Sequence, residues 1–138
     1  MKSRTLIATC AALALSMAGV VSAQDGETQT VTKNFEAGIP NIPGKSLLAV
    51  EVEYAPGAAS PSHTHATSAF IYAYVISGAI ESKVDDGEVR IYRAGESWSE
   101  VPGATHFISR NASETEPARL LAVFVLDTGD NPLTTAVK

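Results

Sequence analysis

The sequence is poor in cysteine and has no cluster of basic residues. Its only cysteine, Cys10, lies within the first 23 residues, so residues 24–138 can form no disulfide bond. Ten lysine and arginine residues are scattered along the chain, where fifteen aspartate and glutamate residues outnumber them. Because a nucleic-acid groove needs basic residues clustered on one face, we expect no nucleic-acid partner.

The first 23 residues have the pattern of a secretory signal peptide. Lys2 and Arg4 give a positive start, an apolar stretch follows at 6–21, and a Val-Ser-Ala sequence ends at Ala23. A membrane anchor fits less well, because the apolar stretch is short, is interrupted by polar residues and ends without a basic stop signal. We predict cleavage after Ala23, a periplasmic or secreted mature protein, and no membrane attachment after cleavage.

The rest of the chain carries strand signals and no convincing helix pattern. Residues 46–54 alternate between apolar and polar side chains, and short apolar runs separated by turn residues follow as far as residue 126. Short strands at regular spacing predict an all-β sandwich or barrel. The expected organisation is a signal peptide at 1–23, an exposed leader and first strand at 24–45, the folded domain at 46–127 and a loose C-terminal tail at 128–138.

One predicted strand, at 70–76, is apolar on both of its faces. A single small barrel can bury only one such face, so the second face predicts an interface between two copies of the chain. We therefore expect a homodimer or a higher oligomer. Trp98 is also expected in the core or in an interface, because large aromatic side chains are usually packed against other residues.

The three histidines of the chain are the strongest candidates for a chemical site. In an extended segment, side chains two residues apart point the same way about 7 Å apart, so His63 and His65 can reach one metal ion at roughly 2.1 Å. His106 follows the rigid turn at Pro102-Gly103. On its own a His-x-His pair is more often a surface coincidence than a site.

The glycines around these histidines strengthen the prediction of a site. They occur in two patterns, Gly57-x5-His63-x-His65 before a strand that ends at Gly78, and Gly95-x7-Gly103-x2-His106. Together these patterns resemble the two conserved motifs of the cupin superfamily, over about residues 46–126. The resemblance implies a double-stranded β-helix barrel, with His63, His65 and His106 as the ligands of one metal ion.

The resemblance also implies an acidic ligand, which would stand seven residues before Gly78, where this chain has Ile71. A site of three neutral imidazoles keeps the full charge of a divalent metal and leaves coordination positions open. Imidazole ligands favour Fe, Ni, Cu, Zn or Mn over Ca or Mg. Glu100, six residues before His106, is a candidate fourth ligand or catalytic acid or base. A solvent-exposed strand carboxylate is the favoured alternative for Glu100, because the pattern does not fix which way its strand faces.

The expected function is that of an exported metal-dependent cupin acting on a small organic molecule. Three-histidine sites occur among cupin dioxygenases, so the resemblance indicates dioxygenase-type chemistry. Two alternatives stay open: a non-catalytic module that binds a small ligand, and a structural protein whose metal only stabilises the barrel.

Overall fold

The computed structural model describes residues 29–138, and none of these residues is helical. The predicted signal peptide and its cleavage site lie outside the described residues. Eleven strands occur in the described part of the chain: β1 (Gln29–Gly38), β2 (Lys45–Tyr54), β3 (Ala59–Ser60), β4 (His63–His65), β5 (Phe70–Ser77), β6 (Ala79–Val84), β7 (Arg90–Arg93), β8 (Ser97–Glu100), β9 (Thr105–Asn111), β10 (Ala118–Asp127) and β11 (Thr134–Ala136). The all-β prediction is confirmed.

The strands form two antiparallel sheets. One sheet has the order β1-β2-β10-β5-β8, and the other has the order β11-β4-β9-β6-β7, with β3 paired to β9 beside that path. Strands that are distant in sequence become neighbours, as β2 and β10 do over their full lengths. Gly78 makes the turn between β5 and β6 at a φ of 71°, and a Cβ there would lie 2.6 Å from the carbonyl oxygen of Pro117. Only glycine fits this turn without displacing backbone.

The core lies between the sheets, because the strands alternate buried and exposed side chains as a half-buried strand should. In β10 the buried positions are every second residue, and they include Leu120, Ala122 and Phe124. In β5 the inner positions are Ile71, Ala73 and Val75, each no more than 2% exposed. The chemical site lies among these inward-facing side chains. Among residues 29–138 there is no helix whose length and apolarity would let it cross a membrane.

Two segments without a periodic sequence signal are strands. The polar segment from Gln29 onward, expected to begin as an exposed leader, forms β1 and pairs with β2 along its length, although most of its side chains are exposed. The C-terminal segment expected to be loose contains β11, which pairs with β4. Both segments are held by backbone hydrogen bonds to a sheet edge, and such bonds need no apolar side chains.

Candidate metal centre

The fold brings the three histidines together. His63 and His65 stand on β4, and His106 stands on β9 directly opposite His63 in the antiparallel ladder. One ring nitrogen from each histidine can be chosen so that all three lie within 4.8 Å of one another. His63 and His106 are buried, and His65 is partly buried. The histidine pair is therefore part of an internal cluster and not a surface coincidence.

Backbone carbonyl groups fix the tautomers of the two histidines on β4. Nδ1 of His63 lies 2.7 Å from the carbonyl oxygen of Pro61, and Nδ1 of His65 lies 3.3 Å from that of Leu133. A carbonyl oxygen can only accept a hydrogen bond, so Nδ1 carries the proton in each ring. In the neutral imidazoles Nε2 then keeps its lone pair, which is what a metal ligand requires.

His106 is held by two side chains. Its Nε2 lies 2.8 Å from the hydroxyl oxygen of Ser82, and its Nδ1 lies 3.2 Å from Oε1 of Glu100. Ser82 is buried on β6, the neighbour of β9 in the same sheet. Nothing in the sequence around Ser82 signals this role, because the contact depends on the pairing of two strands 24 residues apart in the chain.

Glu100 is also part of the site, and the favoured interpretation of a solvent-exposed carboxylate is wrong. Glu100 is only 2% exposed, and the indole N–H of Trp98 donates a hydrogen bond to its Oε1 atom at 3.1 Å. The strand β8 pairs with β5, which places Glu100 directly opposite Ile71. Trp98, two residues earlier, shares the inward face. The position where the motif would have an acid is occupied by Ile71 on β5, and the carboxylate near the histidines is that of Glu100 on the adjacent strand β8.

The contact between Glu100 and His65 fits a bound cation. Oε2 of Glu100 lies 3.4 Å from Nε2 of His65 and has no hydrogen-bond partner among the described residues. With the His65 proton on Nδ1, two lone pairs face each other in a buried place, which is unfavourable unless a proton or a metal ion lies between them. Three imidazole nitrogens and one buried carboxylate oxygen are a donor set that suits a divalent transition metal.

Ionisation states at neutral pH agree with this donor set. Burial lowers the pKa of His63, and burial lowers the pKa of His106 to about 4. Burial alone would raise the pKa of Glu100, but the adjacent His65 and His106 hold that pKa below its usual value. The site therefore combines the neutral imidazoles of His63 and His106 with the ionised carboxylate of Glu100.

The metal-free protein should lose stability in mild acid because of His106. Between pH 6.5 and about 4 the unfolded chain binds a proton at this histidine and the folded protein does not, so stability falls as the pH falls. The full shift corresponds to roughly 3 kcal/mol. Urea unfolding of the metal-free protein at pH 7 and pH 4.5 measures the loss, and His106→Gln should reduce it. An equal loss in this variant would contradict the assignment.

A cavity of about 150 Å³ adjoins the histidines and Glu100. The inner faces of β2, β5 and β10 give it an apolar wall. Its polar wall includes the hydroxyl of Tyr54, which lies 2.6 Å from the Ser60 hydroxyl and 2.9 Å from the Ser109 hydroxyl. An apolar cavity of this size holds a molecule about as large as benzene, so a small organic molecule fits beside the histidines.

Comparison with known proteins assigns the family. The model of the Cupin domain family matches residues 50–124, a segment that carries the three histidines and Glu100. The chain therefore belongs to the Cupin domain family, as the two glycine and histidine motifs predicted. A search of curated proteins found no match.

Solved structures agree on the fold. An uncharacterized conserved protein of Klebsiella pneumoniae with a double-stranded β-helix domain is 23% identical, has a TM-score of 0.62, and the match covers 83% of this chain and 89% of that chain. An oxalate oxidase in complex with the substrate analogue glycolate is 24% identical with a TM-score of 0.60, and the match covers 79% of this chain and 55% of that chain. A DMSP lyase is 16% identical with a TM-score of 0.56, over 67% of this chain and 44% of that chain.

These similarities confirm the double-stranded β-helix fold of this chain, and they establish nothing about its reaction. The chain spans about half the length of the oxalate oxidase and less than half of the DMSP lyase. At such identities a shared fold does not carry over a reaction, because cupin barrels with different side chains in the cavity have the same strands.

Proposed function

We propose that the mature protein is a metal-dependent cupin that binds one divalent transition metal through His63, His65 and His106 and acts on a small organic molecule. The observation that carries the proposal is that Nδ1 of His63 and Nδ1 of His65 each lie against a backbone carbonyl oxygen, that of Pro61 and that of Leu133, which leaves their Nε2 atoms available to a metal. These atoms lie beside an oxygen of Glu100 that has no hydrogen-bond partner among the described residues. The adjoining cavity has room for a substrate. Fe, Ni, Cu, Zn and Mn are the candidate metals.

The reaction we propose is oxygen-dependent and of the dioxygenase type. A redox-active metal held by three imidazoles supplies Lewis acidity and reactivity toward oxygen. The protein itself supplies a buried carboxylate at Glu100, oriented by the indole of Trp98, which can accept a proton from a substrate in the cavity. The neighbours named as an oxalate oxidase and a DMSP lyase are likewise named for reactions on small molecules.

A metal titration followed by an oxygen-uptake assay tests the proposal. The metal-free mature protein should bind one equivalent of at least one of the five candidate metals. The loaded protein should then consume oxygen with at least one compound from a panel of single-ring and short-chain alcohols, phenols and ketones. Stoichiometric metal binding with no turnover of any compound would favour the ligand-binding module, and no metal binding would contradict the proposal.

We also propose that the protein is a homodimer, with an outer apolar face formed by Phe70, Tyr72, Tyr74 and Ile76 of β5. These residues are 37–44% exposed, whereas the residues between them face the core. The face continues onto β10, since Val123 is opposite Tyr72. A contiguous apolar face of this kind favours association.

Light scattering should give the dimer mass at micromolar concentration. Tyr72→Lys combined with Tyr74→Lys should shift the protein to the monomer mass, because it places two charges at the centre of the outer apolar face. Val89→Lys is the control, because Val89 is 50% exposed and lies outside that face. A monomer mass for the unaltered protein would contradict the dimer.

Export with cleavage after Ala23 remains part of the proposal and follows from the sequence of residues 1–23 alone. Mass spectrometry of protein recovered from the periplasm or the medium should give an N-terminus at Gln24. An intact Met1 on the exported protein would contradict the predicted cleavage.

A further inference from the structure

The cavity beside the histidines carries very little charge. Among the described residues that line it, Glu100 is the only acidic side chain, and no lysine or arginine lines it. Several cations of the chain are instead paired with carboxylates outside the cavity, as Arg119 is with Glu51 and Arg110 is with Glu81. An anionic group that entered the cavity away from the metal would therefore meet no positive side chain.

The net charge of the loaded site sets a limit on what can bind. A divalent metal with three neutral imidazoles and the Glu100 carboxylate leaves one positive charge in the site. One anionic group of a ligand can neutralise that charge. A second anionic group, even one that also contacts the metal, would leave the site with a net negative charge and no lysine or arginine on the cavity lining to compensate it, which is unfavourable in a mostly apolar cavity.

The remaining walls favour uncharged parts of a molecule. Val50, Leu120 and Phe124 present apolar surface to the cavity. On the polar wall the hydroxyls of Tyr54, Ser60 and Ser109 form a chain of hydrogen bonds. Hydroxyl groups can exchange hydrogen bonds with an alcohol, phenol or carbonyl, but they supply no charge.

We propose that the cavity selects small organic molecules with at most one anionic group, which lies at the metal, and that it discriminates against dicarboxylates such as oxalate. The rest of the selected molecule is apolar or carries hydroxyl or carbonyl groups. This inference rests on the proposed metal site and narrows its substrate class. It separates the chain from the structurally similar oxalate oxidase in the ligand expected to bind.

A matched pair of ligands tests the proposal. Oxalate and oxamate have the same number of heavy atoms and nearly the same shape, but oxalate has two carboxylates and oxamate has one carboxylate and one amide. Each ligand is titrated calorimetrically into the zinc-loaded mature protein. Zinc is used because it has no redox chemistry, so the ligand is bound without being oxidised. We expect oxamate to bind about tenfold more tightly than oxalate or better, the reverse of the order expected for zinc ions free in solution.

Two variants add one positive charge to the cavity by different routes. Val52→Lys places a cation on the lining of the cavity at a half-buried position, where the long side chain can keep its ammonium group solvated. Glu100→Gln removes the negative charge instead. Each variant should raise the affinity for oxalate relative to oxamate by about tenfold. Val52→Met, whose unbranched side chain is one atom shorter than that of lysine and carries no charge, should not.

The outcomes separate this inference from the metal site on which it rests. If zinc does not bind, the two ligands are titrated into the protein loaded with whichever of Fe, Ni, Cu and Mn does bind, and if none of the five metals binds, the proposed function fails and the inference fails with it. If zinc binds and oxalate binds as tightly as oxamate or more tightly, the metal site stands and the proposed selectivity is wrong. An equal response of Val52→Lys and Val52→Met would likewise overturn the role of charge.

Discussion

Replacing any one of His63, His65 or His106 with alanine should lower the affinity for the divalent metal by more than about a hundredfold, because losing a direct ligand costs more than losing one of the groups that orient it. Each substitution leaves two imidazoles and the Glu100 carboxylate. All three side chains lie in one cluster, so the three losses should be of similar size. Competition titrations with a chromogenic chelator measure them.

Thr64→Ala is the matched control for the histidine variants. Thr64 lies on β4 between the two histidines, and its side chain points to the opposite side of the strand. This variant should keep the full metal affinity if the strand is intact. Histidine variants that retained the metal content of the unaltered protein would contradict the three-histidine site, and the ligand-binding module would become the better interpretation.

Introducing a carboxylate at position 71 should strongly destabilise the metal-free protein. Ile71 and Glu100 are directly opposite each other on β5 and β8, and each is 2% exposed. In Ile71→Glu two carboxyl groups would be buried side by side, so one must be protonated or both must stay unpaired. We expect a loss of about 3–5 kcal/mol in the free energy of unfolding, as for other unpaired buried charges.

The exchanged variant, Ile71→Glu with Glu100→Ile, tests the cause of that loss. It keeps one carboxylate and one isoleucine in the same strand pair, so it should recover much of the stability lost in Ile71→Glu. Ile71→Leu serves as the control for repacking alone. Urea unfolding of the four proteins gives the comparison. An exchanged variant no more stable than Ile71→Glu would show that the loss does not come from the two carboxylates.

The strands and the histidine pair were predictable because their signals are local. Alternation in residues 46–54 indicates a half-buried strand, and a spacing of two places His63 and His65 on one side of an extended segment. That His106 joins the pair was implied by the resemblance of the glycine and histidine motifs to those of the cupin superfamily. The apolar residues on both faces of β5 indicated that one face packs in the core and that the other is an outer apolar face. For β2 the pattern within a few residues shows which side of the strand is buried, whereas for β5 it does not, because both of its faces are apolar.

Glu100 and Ser82 could not be placed from the sequence, because their roles depend on the partners of their strands. A period of two shows that Trp98 and Glu100 share a face, but it does not show that this face is the buried one. Carboxylates are uncommon on buried faces, so the residue type of Glu100 favoured a solvent-exposed position, which is wrong. The early start of β1, within the segment expected to be an exposed leader, and the strand β11 were missed for a related reason, since both are held by backbone pairing and carry few buried side chains.

The pairing of β11 with β4 makes the metal site depend on residues far along the chain. The carbonyl group of Leu133, which fixes the tautomer of His65, lies 68 positions after that histidine, and Thr134–Ala136 pairs with both histidines of β4. During synthesis both histidines are therefore made before the groups that orient them. The ligand geometry is complete only after residues 133–136 have been made and the long loop between them and β4 has closed.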